Sequence, residues 1–420
     1  MKWLTSTLGV LVAQDNGLIQ TGPFGSQLHQ SDYQAEGIPV VMPKDIVEGH
    51  ISVETIARVS EETVDRLTRH KLKPRSIVLP RRGEVTKRAF IVPEQEGWLC
   101  GTGCLKLELS GNKLLPEFLY YFMEQSHVSR WLEQHAVGTT MLNLSASIVA
   151  DLPIFYPQSL NAQSKIASIL TTYDTLIENN KRRMALLEAS ARLLYEEWFV
   201  RLRFPGHAQV PVVDGVPEGW ARKTLASVCI EDIGIQTGPF GSQLHQSDYV
   251  DDGVPVVMPK DIIDSRISVD GIAKIPDFLA ETLSRHRMMV GDTVYGRRGD
   301  IGRRAFISNR QTGWLCGTGC LRIRPDTTHI HPRFLFDTLG APETAGTIAN
   351  RAKGATMPNL NSTILKSVPI LVAPRILQNH YADQVESMYA ISETLSEQNQ
   401  KLKVARDLLL PRLMSGEITL

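Results

Sequence analysis

The chain has 420 residues, 42% of them hydrophobic, and its 45 basic side chains balance its 45 acidic ones for a formal net charge of zero. That is enough for two ordinary cores, and the neutral balance excludes a polycation that would bind nucleic acid or membrane through composition alone, so any anion site has to come from local clustering. The first 17 residues hold no long apolar run and no cleavage-site pattern, no segment is apolar for long enough to span a bilayer, and five cysteines form an odd set in a large chain; a soluble, cytoplasmic protein with reduced thiols is expected.

From the start to about Tyr156 the pattern is short apolar runs cut by Gly, Pro and Asp. Residues 76–79 (SIVL) and 88–92 (RAFIV) have the composition of strands, and residues 117–135 have helical spacing. The expected fold is an α+β domain over residues 1–157. Gly22-Pro23-Phe24-Gly25-Ser26 predicts a tight turn with backbone N–H groups open to an anion, and it lacks the Gly-Lys-Ser/Thr ending of a phosphate-binding loop of nucleotide hydrolases. Behind it Gln27, His29 and Gln30 carry amide and imidazole groups able to read base edges. Arg69, His70, Lys71, Lys73, Arg75, Arg81, Arg82, Lys87 and Arg88 then crowd into one stretch against the single acid Glu84. Arg81-Arg82-Gly83 predicts a turn that offers bidentate guanidinium groups to guanine or phosphate, with Lys87 and Arg88 positioning the nucleic-acid backbone. Cys100-Gly101-Thr102-Gly103-Cys104 has no second Cys or His pair nearby and predicts a buried strand or turn, not a metal half-site.

Pro153 and Pro157 close the domain, and a spacer helix is predicted over residues 158–203. Ile166, Leu170, Tyr173, Ile177, Asn180, Met184, Leu187, Ala191, Leu194 and Trp198 step by alternating four and three residues, a heptad seam about 55 to 60 Å long with one polar position, Asn180, of the kind that fixes register. A polar, proline-bearing linker follows over residues 204–219.

The chain then repeats itself. Residues 19–33 (IQTGPFGSQLHQSDY) return letter for letter as residues 235–249, and at the same offset residues 40–46 (VVMPKDI) recur at 256–262, Arg81-Arg82-Gly83 at Arg297-Arg298-Gly299, and residues 97–105 (GWLCGTGCL) at 313–321. Residues 138–144 (GTTMLNL) face residues 354–360 (GATMPNL) in that register, and a second basic stretch holds Arg285, His286, Arg287, Arg297, Arg298, Arg303 and Arg304 against Asp292 and Asp300. A second α+β domain over residues 220–373 and a second helix over residues 374–420, with Val385, Met388, Leu395, Leu402, Ala405 and Leu409 as its apolar positions, complete the pattern. The two helices share little identity while the domain loops are kept intact, so the loops carry the specific task. Two seamed helices predict an antiparallel coiled coil with the two domains held apart and related by a pseudo-two-fold axis. No nucleophile, acid–base or zinc constellation occurs in both copies, which predicts a binding protein and not an enzyme.

These motifs resemble the specificity subunit of type I restriction-modification systems over nearly the whole chain. Residues 22–28 (GPFGSQL) followed by Asp32-Tyr33, residues 37–46 (GIPVVMPKDI), Arg81-Arg82-Gly83 and residues 97–107 (GWLCGTGCLKL) are similar to a target-recognition domain of that family. Residues 198–220 are similar to its central junction, and residues 406–418 (RDLLLPRLMSGEI) to its C-terminal helix end. The resemblance implies a non-catalytic subunit: each domain reads one half of a bipartite site in double-stranded DNA, and the helices set the gap and dock two modification subunits. Those partners carry S-adenosylmethionine and methylate adenine N6, and a motor-nuclease subunit joins for restriction. No cofactor or metal is implied for this chain, and no membrane. The candidate DNA-contact residues are Gln27, His29, Lys44, Arg81, Arg82, Lys87, Arg88, Thr139, Thr140 and Asn143 in the first domain, and Gln243, His245, Lys260, Arg297, Arg298, Arg303, Arg304, Thr356 and Asn359 in the second. The departure from the family pattern is that the two domains are close copies, which predicts an interrupted palindrome. A scaffold or regulator that holds two identical ligands is the alternative.

Overall fold

A computed structural model of the chain describes residues 2–241, 243–299, 301–352 and 359–420. Two compact units emerge, one formed by Met1–Lys181 with Ser396–Leu420 and the other by Arg182–Leu395.

In the first unit, strand Trp3–Thr7 pairs antiparallel with Pro153–Pro157 and ties the two ends of the domain together. Between them lie two four-stranded sheets. One runs Leu18–Thr21, Cys104–Glu108, Ile77–Pro80, Ala89–Phe90, antiparallel throughout. The other runs Leu99–Cys100, Ile38–Val41, Ala57–Val59, Tyr33–Gln34, with its first pair parallel. Val40, Val41, Leu99 and Cys100 are all fully buried, and a strand covered on both faces reads as an unbroken apolar run, as these do. The strand expected at residues 76–79 is Ile77–Pro80, and the one expected at 88–92 is only Ala89–Phe90.

The single helix expected over residues 117–135 is two, Pro116–Phe122 and Ser126–His135. The chain turns extended at Gln125 (φ −66°, ψ 141°), whose Nε2 donates to the Phe122 carbonyl at 3.2 Å and satisfies the end of the first helix. This break lets Phe118, Leu119 and Phe122 enter the core in one direction and Val128 and Leu132 in another.

The first long helix spans Leu160–Tyr195 and ends in a wider π-type turn, Glu196–Val200. Within the first unit, Ile166 and Leu170 join Leu410, Leu413 and Met414 of the second long helix, Arg375–Met414, in one apolar core. Farther along, Asn180 Nδ2 donates to Asn399 Oδ1 at 2.9 Å, and Asn399 Nδ2 donates to the Ile177 carbonyl at 3.2 Å. Arg406 Nη1 reaches Asp174 at 2.6 Å. Positions rising along one helix thus meet positions falling along the other, so these segments run antiparallel, and Asn180 is a buried polar position on the seam.

The second unit repeats the plan, with a four-stranded sheet (Ile235–Thr237, Cys320–Ile323, Thr293–Gly296, Arg304–Phe306) and a three-stranded one (Ala273–Ile275, Val254–Val257, Leu315–Cys316). Its core is more aromatic: Tyr195 and Phe199 pack on Phe334 and Tyr381. Buried Asp337 accepts from Tyr381 at 2.8 Å and Tyr389 at 2.6 Å. At the matching place in the first unit the polarity is exchanged, since Tyr121 donates to Asp174 at 2.7 Å. All five cysteines are free and buried, and burial raises the thiols of Cys100, Cys229 and Cys316 to about 12, which keeps them protonated and unreactive. Among the described residues no helix is long and apolar enough to cross a membrane, and no cluster of acids, histidines or cysteines could hold a metal ion.

Candidate nucleic-acid interface

Five loops of the first unit meet at one end of its sheets, and main-chain hydrogen bonds fix how they meet. Gly22 N–H donates to the Cys104 carbonyl at 2.8 Å, Arg81 N–H to Gly103 at 2.8 Å, Gly101 N–H to Val41 at 2.9 Å and Leu144 N–H to Arg81 at 2.8 Å. Gly22 lies so close to the 101 turn that a Cβ there would sit 1.9 Å from the Gly101 carbonyl oxygen, which is why no other residue fits. Residues 137–143 form a hairpin closed by reciprocal bonds between Val137 and Asn143, both 2.9 Å, and Arg82 pairs with Asn143 across from it. The Pro43-Lys44-Asp45 turn is pinned by the buried Asp45 carboxylate, which accepts from the Met42 N–H at 2.9 Å.

Side chains then divide by role. Arg82, Lys44, His29, Thr139 and Thr140 are exposed on these loops. Lys44 Nζ donates to the Thr55 carbonyl at 2.9 Å, which anchors its ammonium group on the loop. Arg81 is half-buried, its guanidinium 5.9 Å from the Phe24 ring centroid and its Nε buried without a partner. Gln27 Oε1 accepts from the Phe24 N–H at 3.2 Å and from Arg69 Nη2 at 3.4 Å, so its carbonyl end is committed to the turn. Arg69 in turn donates from Nε to Nε2 of His70 at 3.0 Å, and burial, with Arg69 beside it, lowers that imidazole to about 4. His70 is therefore a neutral acceptor.

Much of the basic stretch is paired with acids of its own unit. Lys71 pairs with Asp65, Lys73 with Glu108, Arg75 with Glu117 and Lys87 with Glu84. Arg88 donates to the Tyr120 carbonyl at 3.1 Å, pairs with Glu124 at 3.2 Å and lies 5.2 Å over the Tyr120 ring. Arg304 does the same to the Phe336 carbonyl at 3.2 Å and ring at 4.9 Å. Both arginines lean on the interior of their own unit, where carbonyls 32 positions away claim their Nε groups.

The second unit rebuilds this loop face. Gly238 N–H donates to Cys320 at 3.0 Å, Arg297 N–H to Gly319 at 2.9 Å, Gly317 N–H to Val257 at 2.9 Å and Leu360 N–H to Arg297 at 2.9 Å. The Arg285–His286 and Arg285–Gln243 bonds recur at 2.9 and 3.4 Å, His286 is likewise held near 4 by burial and by Arg285, and Met258 N–H donates to buried Asp261 at 2.8 Å. Arg297 is the more buried copy, 9% exposed; its Nη2 reaches Asn359 Oδ1 at 3.3 Å, and burial followed by the charge of Arg298 lowers its pKa. Arg298, His245, Lys260, Gln243, Arg303 and Asn359 are exposed. Thr356, with the rest of residues 353–358, and Ser242 and Asp300 lie outside the described residues. The residues that sequence reasoning passed over are Phe24 and Phe240, 54% and 56% exposed at the tip of the glycine turn. Their signal was present, an aromatic between glycines repeated in both copies.

Comparison with known proteins adds four findings. Residues 25–189 match the family model described as the type I restriction modification DNA specificity domain. The chain is 22% identical to the type I restriction enzyme MjaIX specificity subunit of Methanocaldococcus jannaschii, over 92% of this chain and 88% of that one. It is 23% identical to the HindI specificity subunit of Haemophilus influenzae, over 78% and 83%. In structure it is similar to the S subunit of a type I restriction-modification system from M. genitalium, with a TM-score of 0.61 and 16% identity over 98% and 96% of the two chains.

Proposed function

We propose that this chain, a member of the type I restriction-modification specificity subunits, reads double-stranded DNA in two half-sites, one with each unit, and does no chemistry itself. The observation that carries this reading is the recurrence of one loop face in both units, down to the main-chain hydrogen bonds that set it. Fixed loops presenting arginine, lysine, threonine, asparagine and histidine suit a groove: exposed Arg82 and Arg298 are matched to guanine O6 and N7 or to phosphate, and Lys44 and Lys260 to phosphate. Faces of the same chemistry read the same bases, so the site is an interrupted palindrome. Two modification subunits dock on the long helices, bring S-adenosylmethionine and methylate adenine N6, and a motor-nuclease subunit completes the restricting complex. The target atom is buried in duplex DNA, so the partner has to flip the base out.

Methylation-aware sequencing tests this reading in cells that express the chain with its modification subunit and in cells lacking the chain. A new interrupted palindrome carrying N6-methyladenine on both strands is expected. An asymmetric motif would leave the specificity role and overturn the matched half-sites; no motif at all would return the scaffold reading.

A further inference from the structure

The glycine turn holds an aromatic ring where the fold gives it no work. Phe24 and Phe240 are each more than half exposed, while their neighbours Leu28 and Leu244 are buried anchors. Single exposed apolar residues are ordinary on protein surfaces. These two differ in standing on a fixed turn. In the first unit Phe24 N–H donates to Gln27 Oε1 at 3.2 Å and its carbonyl accepts from Gln27 N–H at 2.8 Å; in the second the same pair measures 3.3 and 2.8 Å. Arg69 and Arg285 brace the same glutamine oxygens from behind, both at 3.4 Å. Gly22 and Gly238 seat the turn against the neighbouring loop with no room for a Cβ, and the positions of Gly25 and Gly241 beside the ring are open. A turn braced in this way, twice, leaves the backbone that carries each ring little freedom to lose on binding.

We propose that Phe24 and Phe240 insert part of their rings between two base pairs of their half-sites and unstack that step, so that each unit reads the ease of unstacking as well as base edges. An apolar wedge entering a base step is a known way for proteins to kink duplexes, and the cost depends on the step. Arg81, 5.9 Å from the Phe24 ring centroid, supplies a guanidinium to the backbone or base beside the wedge. The inference rests on the DNA-reading function proposed above.

The test uses the full complex with its modification subunits and duplexes bearing its methylation motif, with 2-aminopurine placed in turn at each position other than the methylated adenine. Fluorescence should rise at one step per half-site. The variant F24A/F240A should lose that rise and bind the specific duplex at least tenfold more weakly, following the usual loss when an aromatic stacking partner is removed, with its thermal midpoint unchanged. F24Y/F240Y should restore both. An alanine variant with unchanged affinity and an unchanged fluorescence profile would overturn the wedge and leave the DNA-reading function intact. One that sheds its modification subunit but keeps its DNA affinity would also overturn it and make the ring a protein contact. A wild-type complex that binds no specific duplex would sink the underlying function as well.

Discussion

Arg81 and Arg82 are adjacent, yet the first lies half-buried against Phe24 and the second stands in solvent beside Asn143. Substituting Arg82 and Arg298 with alanine should therefore weaken specific DNA binding by about 1 to 3 kcal/mol per half-site, with no change in the urea midpoint; a filter or anisotropy titration beside an unfolding curve checks both. Gly22 behaves in the opposite way. G22A drives a methyl group into the Gly101 carbonyl and should destabilise the first unit, whereas G25A, with nothing near its Cβ position, should leave the melting curve alone. The imidazoles of His70 and His286 sit near 4 in the folded chain against 6.5 ordinarily. Between those values the unfolded chain takes up protons that the folded chain refuses, so stability should be full above pH 6.5 and fall as pH drops toward 4. Urea midpoints measured from pH 7 to 4.5 should show a shallower decline in H70Q/H286Q. The sequence placed these histidines in a basic stretch but could not show that each is walled in by its own sheet.

On the scale of elements, the Asn180–Asn399 bond is the informative contact of the long helices. Replacing Asn399 alone with leucine strands the buried Asn180 amide and should cost about 1 to 3 kcal/mol, whereas replacing Asn180 leaves the half-buried Asn399 its bond to the Ile177 carbonyl and should cost less. The double leucine variant should recover most of that in a double-mutant cycle, because two matched apolar groups leave nothing unsatisfied. The heptad rhythm was legible from the sequence because a seam is a one-dimensional pattern, and its positions Ile166, Leu170, Asn180, Met184 and Ala191 are all buried. The break between Pro116–Phe122 and Ser126–His135 was not legible: no proline or glycine marks it, and its cause is a side-chain cap whose worth depends on the tertiary core. The inward turn of Arg88 and Arg304 escaped notice for the same reason, since their partners lie on a helix far along the chain.

For the whole molecule, the proposed function makes the symmetry of the target a property that can be broken on one side, because each unit has its own loop face. A complex whose specificity chain carries R82A alone should methylate a motif relaxed in one half-site and unchanged in the other, which strand-resolved methylation sequencing would reveal; relaxation of both halves would show that the units do not read independently. Binding should also fall steeply with salt, as phosphate contacts release counterions. The duplication was plain in the sequence because loops were copied verbatim, and which members of each loop face outward needed the strand registers. Those registers carry a further consequence, for heredity. The loops are shaped by main-chain bonds between Arg81, Gly103, Asn143 and Leu144, not by the exposed side chains they display. On the proposed function, point mutations at residues 82, 139 or 140 should therefore alter the address without disturbing the fold. Each unit holds its own set of these bonds, so on the proposed function one half of the target can change while the other is kept.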